Sequence, residues 1–460
     1  MNEPGYVGAV VAKAEAGGIH GAELAALRRR LRQLGEQHAG LLPSEVLEPL
    51  GDLPCLAELP EPSRGQARDV LDRLVIVKLN GGLGTSMGLS GPKSLLAVKP
   101  GVSFLDVLAR QVLALRKRHN ARLPLVLMNS AVTRDASLEA LDRYEDLSMP
   151  DVPPDFLQGR EPKIRAGDFQ PVHWPADPEL EWCPPGHGDI YPALAESGML
   201  DALLGAGLRY AFVSNSDNLG ALADVRIAAW LAAEQVPFAL EAVRGTPADR
   251  KGGHLACYRD RLVLRETAQV PDRDTSFTDV ERWHWYNTNN IWIDLRALSD
   301  LQSADPAAPD LPLIVNRKTA DPRDPQSTPV IQLESAMGAA IGSIPGARAV
   351  CVPRSRFVPV KTTDDLLLVR SDAYQLTGDG QMSPAFDGQE PIVTLDEDYY
   401  KLLPDFDQRF PFGVPSLRRC RQFEVEGDVT FGADVVAVGE VRVTGPRHIA
   451  DGEVLGARPG

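Results

Sequence analysis

A short apolar strand that runs into a glycine-dense loop ending in lysine constrains this chain more than any other feature. Leu74-Val75-Ile76-Val77 has the apolar, β-branched character of a buried strand. It is followed by Lys78-Leu79-Asn80-Gly81-Gly82-Leu83-Gly84-Thr85-Ser86-Met87-Gly88-Leu89-Ser90-Gly91-Pro92-Lys93. Five glycines in the eleven residues 81–91 are more than a turn needs. Without Cβ atoms, backbone N–H groups can close on a charged group such as phosphate, and Lys93 adds a full positive charge. Two familiar loops are excluded by spacing. A dinucleotide fingerprint GxGxxG would need glycine at 87, where Met87 stands, and a P-loop would need a glycine five residues before Gly91, where Ser86 stands.

The surrounding pattern is that of an α/β protein. Leu123–Met128, Tyr210–Val213, Pro237–Val243 and Ile291–Ile293 read as buried strands, and Leu105, Leu108, Val112 and Leu115 mark a helix after the glycine loop. Strand, helix and strand at this spacing predict βαβ units and a largely parallel sheet. Upstream, Leu24, Leu27, Leu31 and Leu34 predict an amphipathic helix over 19–39, followed by a linker at Pro60, Pro62 and Gly65. The C-terminal stretch changes period. Phe423, Val429, Val435 and Val441 fall six apart, as do Val425, Phe431, Ala437, Val443, Ile449 and Leu455, with Gly427, Gly439 and Gly445 between them. Two inward apolar series at a period of six predict a short parallel β-helix; a plain β-meander is the alternative.

With 460 residues, two or three domains are expected. The chain carries 48 basic and 63 acidic residues, a net charge of −15, which disfavours nucleic acid and anionic membranes as partners. No apolar run is long enough to span a membrane, and residues 1–18 lack a signal-peptide pattern. Five scattered cysteines without CxxC spacing suit reduced thiols, so a cytoplasmic location is expected.

Three further stretches carry chemistry. Asp217 follows the strand Tyr210–Val213, at the carboxyl edge where open α/β sheets place ligands; a lone carboxylate there suits Mg²⁺ or a helix N-cap. His187 lies in Pro184-Pro185-Gly186-His187-Gly188-Asp189, too irregular for a core position, where a histidine is more often a structural hydrogen-bonder than a catalyst. Asn287-Thr288-Asn289-Asn290 has no helical periodicity and suits sugar hydroxyls or an Asx-turn. The alternating Trp283 and Trp285, with Trp292 beyond, read as core rather than as a sugar-stacking surface.

Lys78–Ser94 closely resembles the nucleotide-binding loop of the eukaryotic-type UTP–glucose-1-phosphate uridylyltransferases, also called UDP-glucose pyrophosphorylases. The resemblance continues in order through Cys183–Tyr191, Ser214–Gly220, Glu266–Gln269, Asn287–Asn290, Ile331–Glu334 and Ser355–Thr363. It spans about residue 70 to the end. The family often has an aromatic residue where Cys183 stands, but the adjacent glycine and histidine are retained. The resemblance implies a Rossmann-like mixed-sheet nucleotidyltransferase domain (GT-A-like) with a C-terminal left-handed parallel β-helix. The implied division is an N-terminal helical segment at 1–70, a catalytic domain at 71–380 and a C-terminal domain at 381–460. Self-association through the β-helix is expected with it.

The implied reaction joins UTP and α-D-glucose 1-phosphate into UDP-glucose and pyrophosphate with Mg²⁺. By the resemblance, Lys93, Lys361 and Asp217 are the catalytic residues, and Asp217 is the metal ligand. Leu79, Asn80, Gly81, Gly82, Lys93, Gln158, Gly186 and Lys361 hold the nucleotide. His187, Asn215, Ser216, Asp217, Glu266 and Asn289 hold the sugar phosphate. Direct in-line displacement is expected, because no activated Ser, Cys or His nucleophile constellation appears. The rival readings are a UDP-N-acetylhexosamine or broad UDP-sugar pyrophosphorylase, and an inactive nucleotide-sugar-binding protein. His187 argues against the first; Lys93, Asp217 and Lys361 together argue against the second.

Overall fold

The computed structural model describes residues 4–36, 40–246, 249–386 and 388–456. Its organising element is a nine-stranded mixed sheet. The strands are β1 (Leu74–Asn80), β2 (Leu125–Asn129), β3 (Asp155–Leu157), β4 (Tyr210–Asn215), β5 (Phe238–Arg244), β6 (His254–Tyr258), β7 (Arg261–Arg265), β8 (Trp285–Asp294) and β9 (Arg348–Cys351). Their order is β7-β6-β8-β4-β1-β2-β3, with β5 pairing β8 and β9 off this path. The β3-β2-β1-β4 half is parallel. β8 runs antiparallel to β4 and β5, so the sheet is mixed rather than largely parallel. Among the described residues between β5 and β8, the chain makes the β6–β7 hairpin and no α-helical crossover, which parallel pairing would require.

The apolar run Leu74–Val77 is continuous because both faces of β1 are covered. Val75 and Val77 pack with Val126, Ala211, Val213 and Ile291 on one side. Leu74 and Ile76 pack with Leu125, Phe212 and Trp292 on the other. Each such side chain contributes up to about 1.5–3 kcal/mol. Trp283, Trp285 and Trp292 are all buried, as the core reading requires.

Helices α1 (Gly5–Ala16) and α2 (Gly21–Leu34) pack through Val7, Val10, Leu27 and Leu31 onto Ile331 and Leu333, away from the main sheet. α2 stops at Leu34, and residues 37–39 of the expected helix lie outside the described residues. α3 (Arg64–Leu71) begins inside the expected linker, because Ser63 and Gln66 form a reciprocal capping box. α4 (Phe104–His119) has the same device in Ser103 and Asp106, and stops at Asn120 in the left-handed conformation. None of the five cysteines is in a disulfide. Among the described residues, no helix is long and apolar enough to cross a membrane.

In the C-terminal part, β10 (Ile392–Leu395), β11 (Ser416–Glu426), β12 (Val429–Phe431), β13 (Val436–Thr444), β14 (Arg447–Ile449) and β15 (Val454–Leu455) form parallel ladders. Phe423 pairs with Val441, Val429 with Arg447 and Val436 with Val454, each 18 residues apart. Three six-residue steps therefore bring the chain back onto itself. A meander would pair antiparallel. Both apolar series point inward: Phe423, Val425, Val429, Phe431 and Ile449 are buried. Gly427 and Gly439 take positive φ (74° and 70°), a conformation in which a Cβ would be strained. This core does not end at residue 380. Met87 of the glycine loop, Phe104 of α4, Val358 and Leu366 belong to the same cluster as Phe406, Phe423 and Phe431.

Candidate active site

The sheet register assembles the site. Leu79 on β1 lies level with Met128 on β2 and with Asn215 on β4, at the carboxyl ends of three parallel strands. All three residues line a cavity of about 200 Å³, together with Gly81, Gly82, Lys93, Gln158, His187, Ser216 and Asp217. An open α/β sheet places ligands at this edge. The glycine loop leaves β1, turns through left-handed Gly84 (φ 65°) and Gly88 (φ 73°), and returns so that Lys93 N–H donates to Gly82 O at 3.1 Å. Lys93 is thereby folded back over the start of its own loop.

Lys93 Nζ lies 2.6 Å from Asp217 Oδ2, while Asp217 Oδ1 is buried without a partner. Asp217 caps no helix; the next helix, Val225–Glu234, is capped by Asp224. The Asp217 loop is braced from two sides. Its carbonyl accepts Val360 N–H at 3.1 Å, and Asn218 Oδ1 accepts Val358 N–H at 2.9 Å, which zips it to the segment leading to Lys361. Beneath it, Lys78 Nζ donates to Ser214 Oγ at 2.7 Å and to Ala221 O at 2.9 Å, spanning the loop's two ends. Burial, helped by the Arg356 charge, pushes the Lys78 ammonium down to about 7. Lys78 was legible only as part of the loop motif, and nothing in the sequence shows that its side chain points under the loop.

On the opposite wall, Met337 N–H donates to His187 Nδ1 at 3.0 Å. Burial first and the Lys361 charge second push the imidazole down to about 4. His187 is therefore neutral near pH 7, and with Nδ1 accepting, its proton sits on Nε2. Gln158 N–H donates to Asn129 O at 2.7 Å and its Nε2 donates to Gly186 O at 3.2 Å. Its Oε1 would lie 2.5 Å from a Cβ at Gly81, so a side chain there would push the Gln158 amide aside. Gly186 takes φ 79°, and a Cβ on it would meet Ser335 O at 2.7 Å.

Other expected residues lie beside the cavity rather than on its lining. Asn80 is buried and its Nδ2 donates to Asn129 Oδ1 (2.7 Å) and Ser137 Oγ (2.8 Å), so its side chain is a strut between strands. Glu266, raised by burial, is opposed by the Lys361 charge and hydrogen-bonded by Asn287. Asn287 and Asn289 bond each other, Nδ2 to Oδ1 at 2.8 Å and Asn289 N–H to Asn287 Oδ1 at 2.9 Å, with Asn289 at φ 56°. The Asx-type turn is thus present in the asparagine run. Lys361 is exposed, its N–H held by Asp365 Oδ2 at 2.7 Å at the start of α5 (Thr363–Arg370). Its charge acts on both His187 and Glu266. Met128, which the sequence reading missed, enters the lining only through its register with Leu79. Among the described residues, no cluster of three or more His, Cys, Asp or Glu could hold a metal.

The chain is similar to known proteins over most of its length. The family profile for UTP–glucose-1-phosphate uridylyltransferase matches residues 28–437. The potato (Solanum tuberosum) UTP–glucose-1-phosphate uridylyltransferase is 40% identical over 420 residues, 89% of this chain and 85% of its own length. A probable enzyme of the same name from Schizosaccharomyces pombe is 39% identical over 381 residues, 82% of this chain and 74% of its own. A mutant UDP-glucose pyrophosphorylase from Leishmania major, solved in complex with UDP-glucose, superposes with a TM-score of 0.93 at 38% identity, covering 99% of this chain and 98% of that one. With the family profile matched over residues 28–437, relatives about 40% identical over most of the chain and the same mixed α/β fold, the chain belongs to the UTP–glucose-1-phosphate uridylyltransferase family.

Proposed function

We propose that this chain joins UTP and α-D-glucose 1-phosphate into UDP-glucose and pyrophosphate, by direct attack of the sugar phosphate on the α-phosphorus. The observation that carries the reading is the convergence of Lys93, Asp217, His187 and Gln158 on one cavity at the carboxyl edge of the sheet. The chain has little covalent work to do; it positions two anions and offsets their charge. Lys93 faces the triphosphate from the glycine loop. His187, neutral and protonated on Nε2, donates to the sugar phosphate without moving a proton. Lys361 supplies positive charge from the other side. Asn215, Ser216, Glu266 and Asn289 meet the glucose hydroxyls. With its Nε2 committed to Gly186 O, Gln158 offers Oε1 as an acceptor. That matches the N3–H of uracil, whereas cytosine has an acceptor at N3.

Asp217 fits Mg²⁺: its Oδ1 is buried and unpartnered, and Mg²⁺ commonly takes one or two carboxylates plus phosphate oxygens and water. Bound there, the ion would offset phosphate charge and lower the barrier to pyrophosphate departure. In the same reading the parallel C-terminal ladders are coils of a left-handed β-helix, a surface through which copies of the chain self-associate. Residues 1–70, 71–380 and 381–460 are the helical, catalytic and C-terminal parts of a cytoplasmic enzyme.

The test is pyrophosphate release with UTP and glucose 1-phosphate at millimolar Mg²⁺, repeated with CTP, GTP, dTTP and N-acetylglucosamine 1-phosphate. Release with the first pair is expected. No release would overturn the reading, and a faster rate with the N-acetyl sugar would favour the N-acetylhexosamine reading.

A further inference from the structure

Behind the corner that holds Gln158 lies a group of buried and half-buried ionisable side chains that the chemistry above does not use. Asp189 ends the turn that carries His187, is 1% exposed, and accepts the Gly159 N–H on Oδ2 at 2.7 Å. Gly159 directly follows Gln158 in the chain. Glu23 of α2 closes on the same glycine. A Cβ there would lie 2.9 Å from Glu23 Oε1 and 3.1 Å from Asp189 Oδ2. Close by, the buried Glu161 takes Arg30 Nη2 (2.6 Å) and Nε (3.2 Å) on Oε2, and its Oε1 has no partner. Arg30 is thus the charge that opposes both Glu161 and Asp189. Burial pushes Glu23 and Glu161 up to about 7 and Asp189 up to about 6.

Buried carboxyl groups cost more than apolar side chains of similar size unless specific contacts offset the desolvation. The contact Asp189 makes is with the amide next to Gln158. Gln158 is consequently held on every side: its own N–H on Asn129 O, its Nε2 on Gly186 O, its Oε1 against Gly81, and the following N–H on Asp189. The Asp189–Gly159 bond also joins the turn bearing His187 to the loop bearing Gln158. α2 backs this junction with Glu23 and Arg30, seven residues apart and so on one helix face.

We infer that Asp189 is a positioning residue for base discrimination: through Gly159 it fixes the Gln158 amide in the orientation that accepts from uracil and repels cytosine. The inference rests on the reading of Gln158 given above. It is tested on the full-length protein by kcat/KM for UTP and for CTP with saturating glucose 1-phosphate. The ratio of the two is a property of the folded fraction alone, so simple loss of stability does not move it. Asp189→Ala is expected to lower the UTP-over-CTP ratio about tenfold or more, the scale of one lost buried hydrogen bond to an amide. Asp189→Asn, which keeps an acceptor for Gly159 N–H, is expected to stay within about threefold of the parent, a change worth well under one such bond. If Asp189→Ala does not fold, Gly159→Ala reads the same joint from its other side and is expected to lower the ratio likewise. Gln158→Ala separates the two levels. If it keeps the ratio, Gln158 does not read the base and the inference falls with that reading. If it loses the ratio while Asp189→Ala or Gly159→Ala keeps it, the inference alone is overturned.

Discussion

Lys93 and Asp217, 124 residues apart in sequence, face each other as a 2.6 Å ion pair across the mouth of the glycine loop. The pair places a cation and an acceptor where phosphate and metal are proposed to bind, and each group keeps the other in place without ligand. Lys93→Ala and Asp217→Ala are each expected to cost about 10²-fold or more in kcat, as for groups acting on developing charge. The double variant should fall short of the product of the two, because contacting residues are not additive. Steady-state rates of the three variants check this; near-parental rates would remove the pair from the mechanism.

His187 should not titrate near neutrality. Its pKa lies near 4 rather than 6.5, so the folded state binds fewer protons than the unfolded chain between those values. Its contribution to stability is therefore complete above about pH 6.5 and is lost as the pH falls toward 4. Nitrogen-15 spectra of histidine-labelled protein are expected to show His187 as a neutral Nε2–H ring at pH 6, and His187→Gln should flatten the loss of stability between pH 6 and pH 4.

The Gly81 contact predicts a selective defect. In Gly81→Ala the new Cβ would fall 2.5 Å from Gln158 Oε1, so the amide must move. KM for UTP is expected to rise about tenfold or more, as for loss of one well-placed hydrogen bond, while thermal stability changes little. An unchanged KM would show that Gln158 does not contact the nucleotide.

The hexad core predicts its own weak point. Phe431 is fully buried and packs against Phe410 with ring centroids 4.8 Å apart. Phe431→Ala is expected to cost about 3–5 kcal/mol, measured by denaturant unfolding, whereas the same change at exposed Phe412 should cost a few tenths, as surface changes do.

Much of this arrangement was legible in the sequence because it is local. The strand at Leu74–Val77, the helix after the glycine loop and the six-residue C-terminal period each follow from side-chain spacing over a few residues. Lys93, Asp217 and His187 were legible from motifs, and the structure brings them to one cavity. What was not legible depends on register and direction. Met128 reaches the cavity only because β1 and β2 align, and Asn80 turns away because Asn129 and Ser137 claim its amide. The antiparallel half of the sheet was hidden because the lack of an α-helical crossover among the described residues between β5 and β8 leaves no positive signal. Glu23 and Asp189 meet across 166 positions at a glycine, and no spacing rule could pair them.

The shared core that joins Met87 to Phe406 and Phe431 gives the tail a mechanical office. The glycine loop is footed in the same apolar mass as the C-terminal ladders, so the ladders act as ballast for a segment rich in residues that add no side-chain packing of their own. Damage deep in the tail should surface first as a slack grip on nucleotide, well before the sheet itself begins to come apart.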